Sequence, residues 1–444
     1  MRRKRRRKDD SMLHRPPAAP TPPMGWNSWD CYGAGITEKD LLANAAYLRD
    51  HLKEYGWQYV VCDIQWYEPR AVDTDYNNFT PLCMDEYSRL IPAENRFPSA
   101  AGGKGFSVIA EQIHAMGLKF GVHLLRGIPR QAVHSGAKTV TGVLAKDIAA
   151  QYSVCPWNTD MYGVDADKPG AREYYESVFA LFAEWGVDYV KVDDIANTEF
   201  LKDDPYSAAK EIELMRDAID KCGRTMVLSL SPGPAPIAHA RHLSANADLW
   251  RMSGDFWDSR DKLIEMFRLC EKWYAFVGDG KWPDCDMLPV GRLMVTHRKL
   301  GSHYTRFTRD EQITMMNLWC IFRSPLMIGA ELRDNDDFTL SLLTNPEVLA
   351  VNQRSTRPVP VRCEPDEAVW QNAMEDGSPV VALFNLTESE RTVSVTLREL
   401  GLTGTCALRD LWRHETVGTT SDNTPIAVTL PPTGSVMYRL ESMG

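Results

Sequence analysis

The sequence predicts an α/β protein with a (β/α)8 TIM barrel and a C-terminal antiparallel β-sandwich domain. Short apolar segments alternate with helical segments eight times between about Pro23 and Asn352. Such alternation favours parallel strands whose crossover helices cover the sheet. An open doubly wound sheet is the alternative. That fold more often carries a GxGxxG turn after its first strand, and the sequence has none there.

The predicted barrel strands share an apolar run that ends in polar or charged side chains. They lie at Met24–Asp30, Tyr59–Ile64, Leu118–Leu125, Trp185–Asp194, Thr225–Leu230, Leu249–Met252, Lys281–Leu288 and Pro325–Leu332. The predicted helices share apolar residues spaced three and four apart, and two of them stop at a glycine. They lie at Ile36–Tyr55, Phe106–Met116, Ala171–Trp185, Ala208–Cys222, His239–Ala247, Asp258–Phe276 and Arg309–Phe322.

The sequence divides into three predicted parts: an arm at 1–21, the barrel at 22–353 and the β-domain at 354–444. The arm is basic and Pro-rich, and we expect it to be disordered. No apolar segment follows its basic run, which argues against a signal peptide and favours the cytoplasm. In the last part, short apolar runs separated by turn residues predict antiparallel strands. They lie at Val380–Phe384, Thr392–Leu397, Thr405–Leu411, Ile426–Leu430 and Gly434–Leu440.

Composition narrows the classes of partner. The chain has 444 residues, a formal net charge of −10 and no apolar run of membrane-spanning length. The acidic balance argues against nucleic-acid binding, so we expect neither nucleic acid nor membrane as a partner. The ten cysteines are spread singly without zinc spacing and are expected to be reduced thiols. The oligomeric state cannot be predicted from these features.

The carboxyl ends of the strands of a barrel face one pocket, where barrel enzymes keep their chemistry. Here those ends carry carboxylates, cations, an aromatic ring and a hydroxyl. The candidates are Trp29, Asp63, His123, Arg126, Lys191, Asp193, Asp194, Ser231, Arg251, Asp255, Asp284 and Asp286. Trp66 begins the long aromatic loop after the second strand and is a further candidate contact for substrate.

Glycoside hydrolysis is the first chemical interpretation. It needs one carboxylate as nucleophile and a second carboxyl group as proton donor to the leaving oxygen. Asp193 and Asp255 end near-neighbouring strands and can face each other across a sugar. A separation of about 5–5.5 Å would specify a retaining double displacement. Lys191 points to the same face of its strand as Asp193 and would keep that carboxylate ionised.

A divalent-metal site is the second chemical interpretation, with Asp63, Asp193, Asp284 and Asp286 as oxygen ligands. Lys191 and Arg251 count against it, because these cations already supply positive charge among the acids. His123 alone fits a packed, hydrogen-bonded residue as well as a substrate contact.

Several motifs together resemble glycoside hydrolase family 27, the α-galactosidase family. They are Met24–Trp29, Trp185–Asp193 and Asp284–Leu288, with Ser324–Leu326 and Val351–Gln353 as markers near the end of the barrel. The resemblance implies a retaining mechanism that needs no organic cofactor or catalytic metal. It implies Asp193 as nucleophile and Asp255 as acid/base. It also implies that Trp29, Asp63, Lys191 and Arg251 bind hydroxyl groups of the sugar.

The sequence departs from the pattern of typical α-galactosidases at positions that bear on the substrate. Ile64 replaces the second of two consecutive acids, which suits a sugar without a polar C6 arm. His123 stands where the third-strand Tyr is usual, and Ser229–Gly233 replaces the aromatic loop that reads the 2-substituent. Ile195 replaces a Cys, so the family's usual active-site disulfide is expected to be missing.

The expected activity is hydrolysis of terminal α-D-galactosyl or closely related residues from an oligosaccharide or glycoside substrate. β-L-Arabinopyranosidase and isomaltodextranase-like activities stay open on the same machinery. A non-catalytic carbohydrate-binding protein is the alternative of another class, although binding alone requires neither Asp193 nor Asp255.

Overall fold

The computed structural model describes residues 17–198, 200–201 and 203–443. In these residues one sheet contains eight parallel strands, in the order β7-β6-β5-β4-β3-β2-β1-β8. The strands are β1 Met24–Asn27, β2 Tyr59–Cys62, β3 Lys119–Leu125, β4 Tyr189–Asp193, β5 Val227–Leu230, β6 Leu249–Arg251, β7 Trp282–Asp284 and β8 Leu326–Ile328. Leu288, just after β7, forms a parallel bridge with Ile328 of β8, so the two edges of the sheet meet.

Helices follow the strands: the seven that the sequence predicts and two more after the eighth strand that it does not. They are α1 Glu38–His51, α2 Ser107–Ala115, α3 Ala171–Glu184, α4 Ala209–Lys221, α5 Ala240–Asn246, α6 Arg260–Trp273, α7 Arg309–Phe322, α8 Asp337–Leu343 and α9 Pro346–Arg354. Most of the observed helices are shorter than the predicted ones, and α7 has the predicted bounds. The side chain of Thr37 accepts a hydrogen bond from the backbone of Asp40 and starts α1 two residues late.

The long loops after the strands hold structure that periodicity did not predict. Between β3 and α3, three short strands at Ile128–Pro129, Ala149–Val154 and Met161–Val164 form an antiparallel sheet. Helices at Arg130–Ser135 and Ala145–Ile148 join them. These segments follow the carboxyl end of β3, and Trp157, between the last two of the short strands, lines the cavity described below.

The C-terminal domain contains two antiparallel sheets, one with strand order β9-β10-β11-β16-β13-β14 and one pairing β12 with β15. The strands are β9 Val359–Cys363, β10 Glu367–Ala373, β11 Pro379–Asn385, β12 Arg391–Val395, β13 Thr405–Asp410, β14 Glu415–Ser421, β15 Ile426–Leu430 and β16 Ser435–Ser442. Apolar residues of both sheets pack between them, and Trp370 and Phe384 of the larger sheet join the core of the barrel. The predicted fold class is confirmed.

The predicted arm falls mostly outside the described residues, which begin at Pro17. Near its end, Ala19 is buried, and its carbonyl accepts a hydrogen bond of 2.8 Å from the indole nitrogen of Trp282. This part of the arm therefore packs on the barrel. Among the described helices, none is both long and apolar enough to cross a membrane.

Candidate active site

A cavity of about 280 Å³ opens at the carboxyl ends of the barrel strands. It mixes carboxylates, cations and aromatic rings. Its wall contains Trp29, Asp30, Asp63, Ile64, Tyr76, Trp157, Lys191, Asp193, Pro232, Gly233, Arg251, Gly254, Asp255, Phe256, Trp257, Asp286 and Met287. Six residues predicted from the strand ends as catalytic or substrate-binding are in that wall: Trp29, Asp63, Lys191, Asp193, Arg251 and Asp255.

Asp193 is the last residue of β4, and each of its carboxylate oxygens has a partner. Oδ2 lies 3.1 Å from Nε2 of His123, and Oδ1 accepts a hydrogen bond of 2.9 Å from the hydroxyl of Ser231. The ammonium of Lys191 is 3.9 Å from Oδ2. Burial favours the neutral acid, but the His123 contact, the charge of Lys191 and the Ser231 bond outweigh it. Together they hold the pKa of Asp193 well below its usual range.

Lys191 also pairs with Asp63 at the end of β2. Its Nζ donates to Oδ2 of Asp63 at 3.0 Å, and the same oxygen accepts a hydrogen bond of 2.7 Å from the side-chain amide of Asn27. Burial opposes ionisation of Asp63, yet Lys191, His123 and Asn27 lower its pKa below the ordinary value. One ammonium thus pairs with two ionised carboxylates, so neither carboxylate is an unpaired buried charge.

Asp255 lines the same cavity, after β6, and has a more open setting. Its side chain is 67% exposed, and its Oδ1 accepts a hydrogen bond of 3.2 Å from Arg251. The same guanidinium nitrogen lies 2.7 Å from Oδ2 of Asp286. Burial raises the pKa of Asp286 to about 7; Arg251 opposes this rise, and the neighbouring Asp255 and Asp284 add to it. Arg251 therefore divides its charge between two carboxyl groups.

Aromatic rings that the sequence did not indicate form one side of the cavity. Tyr76 stacks on Trp29 with ring centroids 5.8 Å apart, and its centroid is 5.7 Å from that of Trp157. Both Tyr76 and Trp157 come from long loops rather than strand ends. The loop after β2 is rich in aromatic residues. This composition indicated a functional loop but did not identify Tyr76 as a residue of the cavity.

Ile64 follows Asp63 directly and lines the same cavity. Its side chain is buried, and its backbone N–H donates to Oδ1 of Asp63 at 2.9 Å. The cavity wall is thus apolar immediately beside the acid that Lys191 holds. A ligand bound there meets a hydrocarbon surface that accepts no hydrogen bond.

The acids of the site are arranged around cations. In the described part of the chain, no group of three or more His, Cys, Asp or Glu side chains is placed to hold a metal ion. Asp284, which was a candidate metal ligand, is buried and accepts a hydrogen bond from the backbone of Asp286.

Comparison with known proteins identifies the family of the chain. The family profile described as "Alpha galactosidase A" matches residues 159–354, and the "Alpha galactosidase C-terminal beta sandwich domain" matches residues 364–440. A family 27 β-L-arabinopyranosidase from Geobacillus stearothermophilus is 53% identical, with a TM-score of 0.93 over 96% of this chain and 97% of that one. The chain belongs to glycoside hydrolase family 27, the α-galactosidase family.

More distant relatives agree with this assignment. A crystal structure described as a putative α-N-acetylgalactosaminidase from Bacillus halodurans is 48% identical, with a TM-score of 0.87 over 96% of this chain and 98% of that chain. The α-galactosidase of Oryza sativa is 27% identical over 99% of this chain and 88% of its own length. This family 27 protein is therefore a glycoside hydrolase, and its substrate is a glycoside.

Two residues that the sequence predicts as substrate contacts lie behind the cavity wall in this family 27 protein. His123 and Ser231 are buried and do not line the cavity, but both contact Asp193. Three others lie away from the cavity: Trp66, Arg126 and Asp194. The indole of Trp66 is fully buried, packs on Phe106 and donates to the carbonyl of His123 at 2.8 Å.

Arg126 and Asp194 form a buried ion pair beneath the site. The guanidinium is 2.8 Å from Oδ2 of Asp194 and 3.2 Å from Oε1 of Glu211, and it donates to Ser153 at 2.8 Å. Burial raises the pKa of Asp194 to about 7; Arg126 opposes this, and the nearby Asp193 and Glu211 add to the rise. Asp194 has a φ of 54°, so the pair holds a left-handed turn directly after Asp193.

This pair joins the segments that follow β3 and β4. All ten cysteines lie in the described residues and are free thiols, and Ile195 stands in the turn after Asp193. The chain thus connects the two segments by charge and hydrogen bonds, through Arg126 on one side and Asp194 on the other.

We expect Arg126→Leu to lower the free energy of unfolding by about 3–5 kcal/mol, because Asp194 and Glu211 would remain buried without a cation. Denaturant unfolding followed by tryptophan fluorescence measures this loss. Arg172→Leu is the matched control, since Arg172 pairs with Asp217 at 2.5 Å on the surface. The control should lose less than about 1 kcal/mol. Equal losses in both variants would contradict the structural role of Arg126.

Proposed function

We propose that this protein is a retaining exo-glycosidase that releases terminal β-L-arabinopyranosyl residues. The observation that carries the proposal is the cavity wall at Ile64, which is apolar beside the ionised pair of Asp63 and Lys191. β-L-Arabinopyranose has the ring hydroxyls of α-D-galactopyranose in the same configuration, but a hydrogen replaces the C6 arm. Such a sugar keeps the ring hydroxyls that Asp63 and Lys191 would bind and has no polar group facing Ile64.

In the proposed mechanism Asp193 is the nucleophile and Asp255 the acid/base. A carboxylate oxygen of Asp193 attacks the anomeric carbon, the bond to the leaving oxygen breaks, and Asp255 gives that oxygen its proton. Asp255 then takes a proton from water, whose oxygen attacks the anomeric carbon and releases Asp193. His123, Ser231 and Lys191 keep Asp193 ionised for the first step. The exposure of Asp255 gives it access to water for the second step.

The comparisons support the choice of sugar without deciding it. The 53% identical protein from Geobacillus stearothermophilus is described as a β-L-arabinopyranosidase. The relatives described as α-galactosidases from rice and guar are 27% and 28% identical. Release of terminal α-D-galactosyl residues is the second candidate function, because the two sugars present the same ring hydroxyls to Asp63 and Lys191.

Asp193→Ala should abolish turnover of nitrophenyl β-L-arabinopyranoside, with at least about a thousandfold loss of kcat because no glycosyl-enzyme can form. Added azide should restore part of the activity and give a glycosyl azide of inverted anomeric configuration. Asp255→Ala should instead give, with azide, a product of retained configuration. Product analysis by NMR distinguishes the two. Wild-type rates in Asp193→Ala, or no effect of azide on either variant, would contradict the assigned roles.

Ile64→Asp should raise the ratio of kcat/KM for nitrophenyl α-D-galactoside over β-L-arabinopyranoside by at least about tenfold, since it adds an acceptor for the C6 hydroxyl. Ile64→Ser tests the same space without a buried charge, and Ile64→Val is the matched control that keeps the wall apolar. A panel of nitrophenyl glycosides measured on the wild type gives the baseline. A wild type that prefers the galactoside, with a ratio unchanged in Ile64→Asp, would contradict the proposed sugar.

The pH dependence of kcat/KM tests the ionisation of Asp193. Because the pKa of Asp193 is lowered in the folded protein, its carboxylate form persists as the pH falls, and the acidic limb should lie below the pH at which an ordinary aspartate titrates. Lys191→Met removes a cation, so the pKa of Asp193 should rise and the acidic limb should move to higher pH by about 1–3 units. Ser231→Ala removes only a neutral donor and should move the limb less. Identical acidic limbs in wild type and Lys191→Met would show that Lys191 does not lower the pKa of Asp193.

A further inference from the structure

We propose that a second depression in the surface, the outer groove, binds a saccharide unit of the leaving group. The outer groove lies between segments 79–82, 130–135 and 159–160 and has a volume of about 440 Å³. This inference rests on the proposed function, because a leaving-group saccharide exists only if the enzyme releases a terminal sugar from a longer chain.

The outer groove and the active-site cavity adjoin the same two segments of chain. At the cavity, the rings of Tyr76 and Trp157 pack against each other. Farther along both segments, the backbone N–H of Phe79 donates to the hydroxyl of Thr159 at 2.7 Å. Phe79 is three positions after Tyr76, so their Cα atoms are at most about 11 Å apart. An oligosaccharide that leaves the cavity along this wall reaches the outer groove within a few sugar units.

Phe79 presents an aromatic face to the outer groove. Its side chain is 73% exposed, and its backbone is in the left-handed region with a φ of 53°. Bulky residues rarely adopt this conformation. Because the ring is exposed, its burial supplies little free energy to offset the backbone strain. The hydrogen bond to Thr159 holds the backbone in place. An exposed ring held in this way is a platform for the C–H face of a sugar.

Arg130 supplies hydrogen-bond donors beside that ring. Its guanidinium carbon lies 4.9 Å from the ring centroid of Phe79 and 4.6 Å from that of Tyr162, so two rings fix its position. Within the described part of the chain its side chain makes no hydrogen bond or ion pair. A guanidinium has five N–H donors, and here they remain available to the oxygens of a ligand.

The other polar side chains of the outer groove are already engaged. The amide of Gln131 exchanges two hydrogen bonds with the backbone of Leu82, and His134 contacts the hydroxyl of Tyr162 at 3.0 Å. Asp160 is buried and accepts hydrogen bonds from Gln65 and Tyr67. The available chemistry is therefore one ring face and one cation rich in donors. That combination matches a sugar, which has an apolar face and a rim of oxygens.

The test compares substrates of different length. Nitrophenyl glycosides end at the cavity, whereas oligosaccharides of two to five units, capped with β-L-arabinopyranosyl or α-D-galactosyl residues, extend beyond it. In Phe79→Ala and Arg130→Ala, we expect unchanged kcat/KM for the nitrophenyl glycoside. For the longer oligosaccharides, kcat/KM should fall about tenfold through KM, the loss expected for one ring contact or one donor group. Tyr152→Ala is the matched control, because Tyr152 is a similarly exposed ring, at 76%, outside the outer groove.

A fall of the same size for nitrophenyl glycosides and oligosaccharides, or no fall for any length, would overturn the proposal. Calorimetric titration of Asp193→Ala with the same oligosaccharides separates this outcome from failure of the proposed function. If the wild type hydrolyses no glycoside, the proposed function fails, and the titration still decides the groove. Binding weakened about tenfold by Phe79→Ala supports the outer groove, and unchanged binding refutes it.

Discussion

The ammonium of Lys191 is the charge on which the site depends. It lies 3.0 Å from Asp63 and 3.9 Å from Asp193, in a pocket where each carboxylate alone would favour its neutral form. Ionised carboxylates are costly to bury unless they are paired and hydrogen-bonded. Because β4 carries Lys191 and Asp193 on one face, a single strand delivers both the proposed nucleophile and the cation that keeps it charged.

Two other cations around the barrel also contact two acids each. Arg251 contacts both Asp255 and Asp286, and Arg126 contacts both Asp194 and Glu211. In each case one cation serves two acids, and burial leaves one of the acids with a pKa of about 7. The acid content of the strand ends therefore does not produce a metal-type cluster. The acids form three separate ionic groups, each around one cation. The groups of Lys191 and Arg251 line the cavity, and the group of Arg126 lies beneath it.

Much of this arrangement could be predicted from the sequence, because strand periodicity and the charges at strand ends are local signals. Asp63, Lys191, Asp193 and Arg251 were found in this way. Trp66 and Arg126 also follow strands, but their side chains turn into the core, and no local pattern reports side-chain direction. Tyr76 was missed for the opposite reason. It reaches the cavity from a loop whose path depends on stacking against Trp29, which sequence spacing does not reveal.

The turn after Asp193 is held without a covalent crosslink. In this chain a guanidinium and two carboxylates hold the turn beneath the site, and Cys155 nearby is buried as a thiol. An ion pair neither forms by oxidation nor breaks by reduction. The geometry under the proposed nucleophile is therefore independent of the redox potential around the protein, and dithiothreitol or glutathione has no bond there to cleave.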